Sequence, residues 1–142
     1  MIFNRVPKIT NIQTNRIKIF NNTYFELLEI IKIYSDYNPK FYLFYNNNKL
    51  IKKATPEVFI KIWYNYITKK YYDEIMNEDI DFFMSKDYEN TVPKIQYVEY
   101  NVNKALQFMK NIYPVLDEKT KDDIKLKVFK LTKLSYVYNK NK

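Results

Sequence analysis

From Tyr24 onward, apolar residues recur along the chain at helical spacing. Tyr24, Leu27, Leu28, Ile31 and Tyr34 share one face, and Thr23 with Glu26 three residues on has the form of a capping box, so a helix is predicted over 23–37. Asn38-Pro39 ends it and opens another, because proline suits the first helical position and disfavours helix in the residue before it. Residues 39–46 fit either a short aromatic helix or a strand running into a turn at Asn46-Asn47-Asn48. The absence of glycine, which makes a tight hairpin harder, tips this towards helix. Thr55-Pro56-Glu57 reads as a helix start, with a cap, a proline in the first turn and an acid at the positive end of the dipole.

The face Phe59, Ile62, Trp63, Tyr66 and Ile67 follows, then Tyr71, Tyr72, Ile75 and Met76, then Ile80, Phe82, Phe83 and Met84, with a polar break at Ser85 to Tyr88. Residues 90–100, containing Pro93, read as a linker. Ala105, Leu106, Phe108, Met109, Ile112 and Tyr113 predict a helix that Pro114 stops or kinks. Asp117 caps the last one, whose inner face is Ile124, Val128, Leu131, Leu134 and Val137. The first 22 residues read differently: Ile9, Ile12, Ile17 and Ile19 hold no sustained helical spacing, and Asn and Thr interrupt throughout. They are expected to form an extended or partly stranded basic arm, with an edge strand at Ile17 and Ile19 and an order that depends on a partner. The expected fold is all-α, a compact bundle of four to six helices in a single domain over 23–142.

Composition narrows the chemistry. The 142 residues contain no Gly, no Cys and no His. Glycine-dependent phosphate loops and nucleophile elbows are therefore excluded, as are thiolate nucleophiles, imidazole bases and zinc sites built on nitrogen or sulfur. The serines Ser35, Ser85 and Ser135 have no histidine to activate them, and Ser85-Lys86, though adjacent, point apart on a helix. The expectation is a protein that is not an enzyme and takes no cofactor or small-molecule substrate. No apolar run approaches the ~20 residues of a membrane span and no secretory leader is visible, so no membrane partner is expected and the location is expected to be intracellular, in infected-cell cytoplasm or virion.

The net charge of +8 is unevenly spread. Asp73, Glu74, Glu78, Asp79, Asp81, Asp87 and Glu89 stand against the single Lys86, a local net of −6, so the remainder carries +14. A hard-cation site on this block is sterically conceivable, but no calcium-loop motif is present, and a solvated acidic face or a docking patch reads better. Tyr64, Tyr71 and Tyr72, with Asp73, Glu74, Glu78, Asp79 and Asp81, are the candidate protein interface. Candidates for binding nucleic acid or an acidic partner are Arg5, Lys8, Arg16 and Lys18 in the acid-free arm, then Lys49, Lys52 and Lys53, then Lys125, Lys130 and Lys133. With only two arginines in the chain, nucleic-acid binding by these residues would run through phosphate, independent of sequence and sensitive to salt. The Lys, Asn, Ile and Tyr bias is also that of AT-rich codons, which accounts for part of the charge without any ligand.

Residues 59–88 combine an aromatic-rich helix, Tyr71 to Ile75 as Tyr-x-x-x-Ile, Asn77 to Phe83 as Asn-x-Asp-x-x-Phe-Phe, and a Lys-Asp-Tyr close at Lys86 to Tyr88. This segment, with the last helix over 117–138, resembles small proteins of large eukaryotic DNA viruses. The resemblance implies a viral product acting in the virion or the infected cell, and brings no defined activity. Together these readings lead to a helical protein acting by protein–protein contact as a virion component or assembly factor. Sequence-independent nucleic-acid binding is the first alternative and antagonism of a host pathway the second.

Overall fold

A computed structural model of the chain describes residues 5–35, 38–77, 79, 84 and 97–141, with the side chains of 5–10, 97–101 and 103 outside the description. Its elements are α1 (Arg5–Tyr34), α2 (Pro39–Ala54), α3 (Val58–Trp63), a π-helical turn (Tyr64–Thr68), α4 (Lys69–Met76), α5 (Tyr97–Ile112), a 3-10 turn (Tyr113–Val115) and α6 (Glu118–Lys140). No strand occurs among the described residues, and the fold is all-α.

The first correction concerns the N-terminal arm. Residues from Arg5 on are helical and continuous with the helix expected at 23, so the edge strand at Ile17 and Ile19 does not form. The helical period was hidden because polar residues occupy inward positions. Gln13, Arg16, Ile17, Phe20, Asn21 and Tyr24 make one stripe, and its polar members are hydrogen-bonded: Gln13 donates to Tyr138 O (3.2 Å) and accepts from Arg16 Nη1 (2.7 Å), and Asn21 donates to Pro56 O (2.8 Å). Thr23 is consequently not a cap. It is buried in mid-helix, where its hydroxyl donates back to Ile19 O (2.9 Å), the local bond that lets a threonine sit inside a helix.

Other starts and stops follow local chemistry. Asn38 Oδ1 accepts from Lys40 N (3.0 Å) with Pro39 at the first helical position, so α2 begins where expected. It then runs through Asn46-Asn47-Asn48 without turning, because Asn48 is buried and bonded on both sides, donating to Phe44 O (2.7 Å) and accepting from the Tyr24 hydroxyl (3.2 Å). Thr55 closes α2, its N–H going to Ile51 O (2.8 Å), while its own carbonyl accepts from Val58 N (3.1 Å); the next helix therefore starts at Val58, after Pro56 and Glu57 have made the turn. The expected linker is shorter than 90–100, since α5 is already helical from Tyr97; residues 90–96 lie outside the described residues. Asp117 caps α6 as expected, Oδ1 accepting from Thr120 N (2.8 Å), and its carboxyl is held below the usual range by the Thr120 hydroxyl first and then by this backbone bond.

At the centre α1 and α6 pack side by side, the most extensive pairing in the fold. Three links give their sense: Gln13 to Tyr138, Glu26 to Lys127 (3.8 Å) and Tyr34 to Thr120 (3.3 Å). One partner number rises as the other falls, so the helices are antiparallel. The rod of α3, π-turn and α4, kinked at Tyr71, packs against α6, and α5 packs against α1, α2 and α3. Aromatic rings fill the centre: Tyr24 stacks on Phe59 (4.8 Å) and Phe41 meets Phe108 edge-on (5.1 Å). Tyr24, Phe41, Phe59 and Trp63 are fully buried, a large apolar contribution for a chain of this size.

Candidate interaction surface

Which face of α6 turns inward decides what is left outside. The buried positions are Ile124, Val128, Leu131, Thr132, Ser135 and Tyr138. The first three were expected. Leu134 and Val137 were expected inside too, but both are only half-buried, because a helix advances 100° per residue and the inward stripe drifts from Leu131 onto Ser135 and Tyr138. The polar pair Thr132 and Ser135 takes those inward places by meeting the crossing rod. Trp63 Nε1 donates to Thr132 Oγ1 (3.1 Å), whose proton goes to Val128 O (2.8 Å). The Thr68 and Ser135 hydroxyls lie 2.5 Å apart, and since Ser135 donates to Thr132 O (2.9 Å), Thr68 is the donor between them.

The π-turn makes this possible. In a plain α-helix Thr68 would sit about 140° around the axis from Trp63. The wider turn, closed by Lys69 N–H on Tyr64 O, brings Trp63, Ile67 and Thr68 to the same buried side. Hydroxyls buried in this way carry no signal in a hydrophobicity pattern, which is why sequence reasoning missed them.

With that stripe inside, the outer face of α6 carries Leu126, Phe129, Lys130, Lys133, Leu134 and Val137, spaced i, i+3, i+4, i+7, i+8, i+11. All but Leu126 line a groove of about 330 Å³ together with Arg16 of α1, and its wall is almost wholly apolar. Three cations border it: Lys130 and Lys133, both exposed, and the half-buried Arg16, whose Nη1 donates to Gln13 Oε1 (2.7 Å). The Lys133 ammonium lies 6.0 Å from the Phe129 ring centre. Leu126, 66% exposed, extends the apolar stripe one turn beyond the groove.

The basic candidates fall into two sets. The antiparallel pairing places the acid-free first half of α1 beside the last turns of α6, where no acidic residue follows Asp123, so Arg16, Lys130 and Lys133 meet. Lys18 lies instead with Lys52, Asn21 and Glu57 around a separate cleft of about 470 Å³. Lys49 and Lys52 are folded onto the protein's own rings, over Tyr45 (5.4 Å) and Phe25 (4.8 Å). Lys53 is exposed at the end of α2 and Lys125 half-buried near the start of α6. Arg5 and Lys8 lie on α1, their side chains outside the described residues.

Beside Lys49, the Tyr45 hydroxyl donates to Glu29 Oε1, and Lys32 reaches Glu29 Oε2 at 3.1 Å. Burial first, and then the Glu29 carboxylate, push the Tyr45 phenol up to about 12, while the Tyr45 hydrogen bond is the first cause holding Glu29 low.

No family model, curated protein or solved structure matches the chain.

Of the acidic–aromatic candidates, Tyr72 stacks on Tyr136 (4.5 Å) and Tyr71 packs against the core beside Glu74, so part of that patch is spent in holding α4 to α6. Tyr64 is half-buried at the π-turn. Asp73, Glu74 and Asp79 lie at the end of α4, with Asp79 N bonded to Glu74 O (2.9 Å); Glu78 and Asp81 lie outside the described residues. Among the described residues no group of three or more acids is placed to hold a metal ion, and no helix is long and apolar enough to cross a membrane.

Proposed function

We propose that this chain is a non-enzymatic viral helical protein that works through protein–protein contacts, as a virion component or assembly factor. The observation that carries the contact role is the α1–α6 groove, where an apolar wall of Phe129, Leu134 and Val137 is left uncovered and bordered by cations on both helices. Apolar surface gathered at one place and rimmed by charge is the usual anatomy of a contact site, whereas Ile33, Leu43 and Leu50 are exposed away from this groove. The viral part of the reading rests on the resemblance of residues 59–88 and 117–138.

A photo-reactive phenylalanine analogue at position 126, compared with one at position 33, tests this in the native host. Discrete protein adducts from position 126 and none from 33 are expected. Adducts to nucleic acid, or none from 126, contradict it.

The second reading, lysine-to-phosphate binding of nucleic acid, is favoured by the convergence of Arg16, Lys130 and Lys133. It requires binding of an oligonucleotide at low salt that falls steeply as salt rises.

A further inference from the structure

We infer that the occupant of the α1–α6 groove is an acidic amphipathic helix of another protein. The inference rests on the protein-contact reading above and names the partner's chemistry. Three observations lead to it.

The first is shape. From Leu126 to Val137 the outer stripe of α6 covers eleven residues' rise, about 16 Å, which is three turns of a helix lying alongside. A helix docking in a groove presents apolar anchors every three or four residues along one face, and the stripe offers apolar receivers at Leu126, Phe129, Leu134 and Val137, at i, i+3, i+8 and i+11.

The second is charge. Arg16, Lys130 and Lys133 border the groove and no acid lines it. Lys127, which follows Leu126, makes its ion pairs with Glu26 and Asp123, and none of the three lines the groove. A partner that buries apolar anchors here must bring carboxylates to the three cationic ends, or leave them facing one another unpaired.

The third is elimination of the chain itself. Two copies docked groove to groove would set three cations against three, because a two-fold contact places a patch against itself. The chain's own acidic block does not supply the ligand either. Ile75 and Met84, which bracket its densest part, are buried in the chain's own core, so neither is free to serve as an anchor of such a ligand. A nucleic acid would use the cations but gains little from Leu126, Leu134 and Val137.

The test is a fluorescence-anisotropy titration of the full chain with a labelled acidic amphipathic peptide of about 16 residues, long enough to hold a helix. A scrambled peptide of the same composition, a single-stranded oligonucleotide and anionic phosphatidylserine vesicles are run alongside. The amphipathic peptide is expected to bind and the scrambled one to bind about tenfold more weakly. Leu126→Ser combined with Val137→Ser, and separately Lys130→Gln combined with Lys133→Gln, should each weaken binding about tenfold with helicity by circular dichroism unchanged. Leu126→Ser alone, at an exposed position, keeps the test valid should the double variant misfold.

Equal binding of the two peptides, no binding, or indifference to the Leu126 and Val137 changes overturns the inference. So does tighter binding of the oligonucleotide or the vesicles through Lys130 and Lys133 alone. A protein adduct at position 126 without peptide binding sinks the acidic helix and leaves the contact reading standing.

Discussion

Thr68, Ser135, Thr132 and Trp63 form a buried polar chain in which each hydroxyl proton has an acceptor. Removing one member strands its neighbour, which costs more than removing both members of a pair. Ser135→Ala alone should destabilise the fold by about 1–3 kcal/mol, and Thr68→Val with Ser135→Ala by less than the sum of the single changes, as read by urea denaturation. The phenols set a second expectation. Tyr45 is raised to about 12 against an ordinary value near 10, and full burial pushes Tyr24 further up. The unfolded chain thus loses these protons first, so their contribution is complete below about pH 10 and is lost as pH rises towards and through the folded values. Stability measured from pH 9 to 11.5 should fall, and should fall less in Tyr45→Phe. None of these roles is legible in the residue types, because a buried hydroxyl or amide has the same letter as an exposed one.

At the scale of elements, what the sequence made readable was whatever rests on a strong local signal. Asn38-Pro39 and Asp117 start helices where expected, and Pro114 stops one. Asn38→Ala should cost about 1 kcal/mol in thermal or urea denaturation, the usual worth of such a cap. The first half of α1 was not readable, since Gln13, Arg16 and Asn21 occupy its inward positions and the partners that accept from Gln13 and Asn21 lie far away in sequence. The π-turn has no sequence signature either, yet it sets which side of the rod meets α6. Deleting the exposed Asn65 should restore plain α-helix there with Thr68 four residues after Trp63, about 40° around the axis and still on its buried side, so the melting temperature should fall less than when Asn65 and Tyr66 are both deleted, which turns Ile67 away from Trp63.

For the whole molecule, the sequence showed the acid-free stretches at both ends of the chain but not that antiparallel packing of α1 and α6 would bring Arg16 beside Lys130 and Lys133. That depends on long-range links, of which Glu26 to Lys127 and Gln13 to Tyr138 are two. The segregation of −6 from +14 was therefore visible, while its consequence, a cation-bordered apolar groove, was not. Leu134 and Val137 were readable as apolar and helical, but which side of α6 they would line was settled only by Thr132 and Ser135 taking the inward positions. The central claim is that this groove is where the molecule meets its partner. An amide and methyl NMR titration of the labelled chain with the acidic amphipathic peptide tests it most directly. The account predicts shift changes centred on Arg16, Leu126, Phe129, Lys133 and Val137, and changes centred instead on α2 or α4, or none at saturating peptide, would contradict it.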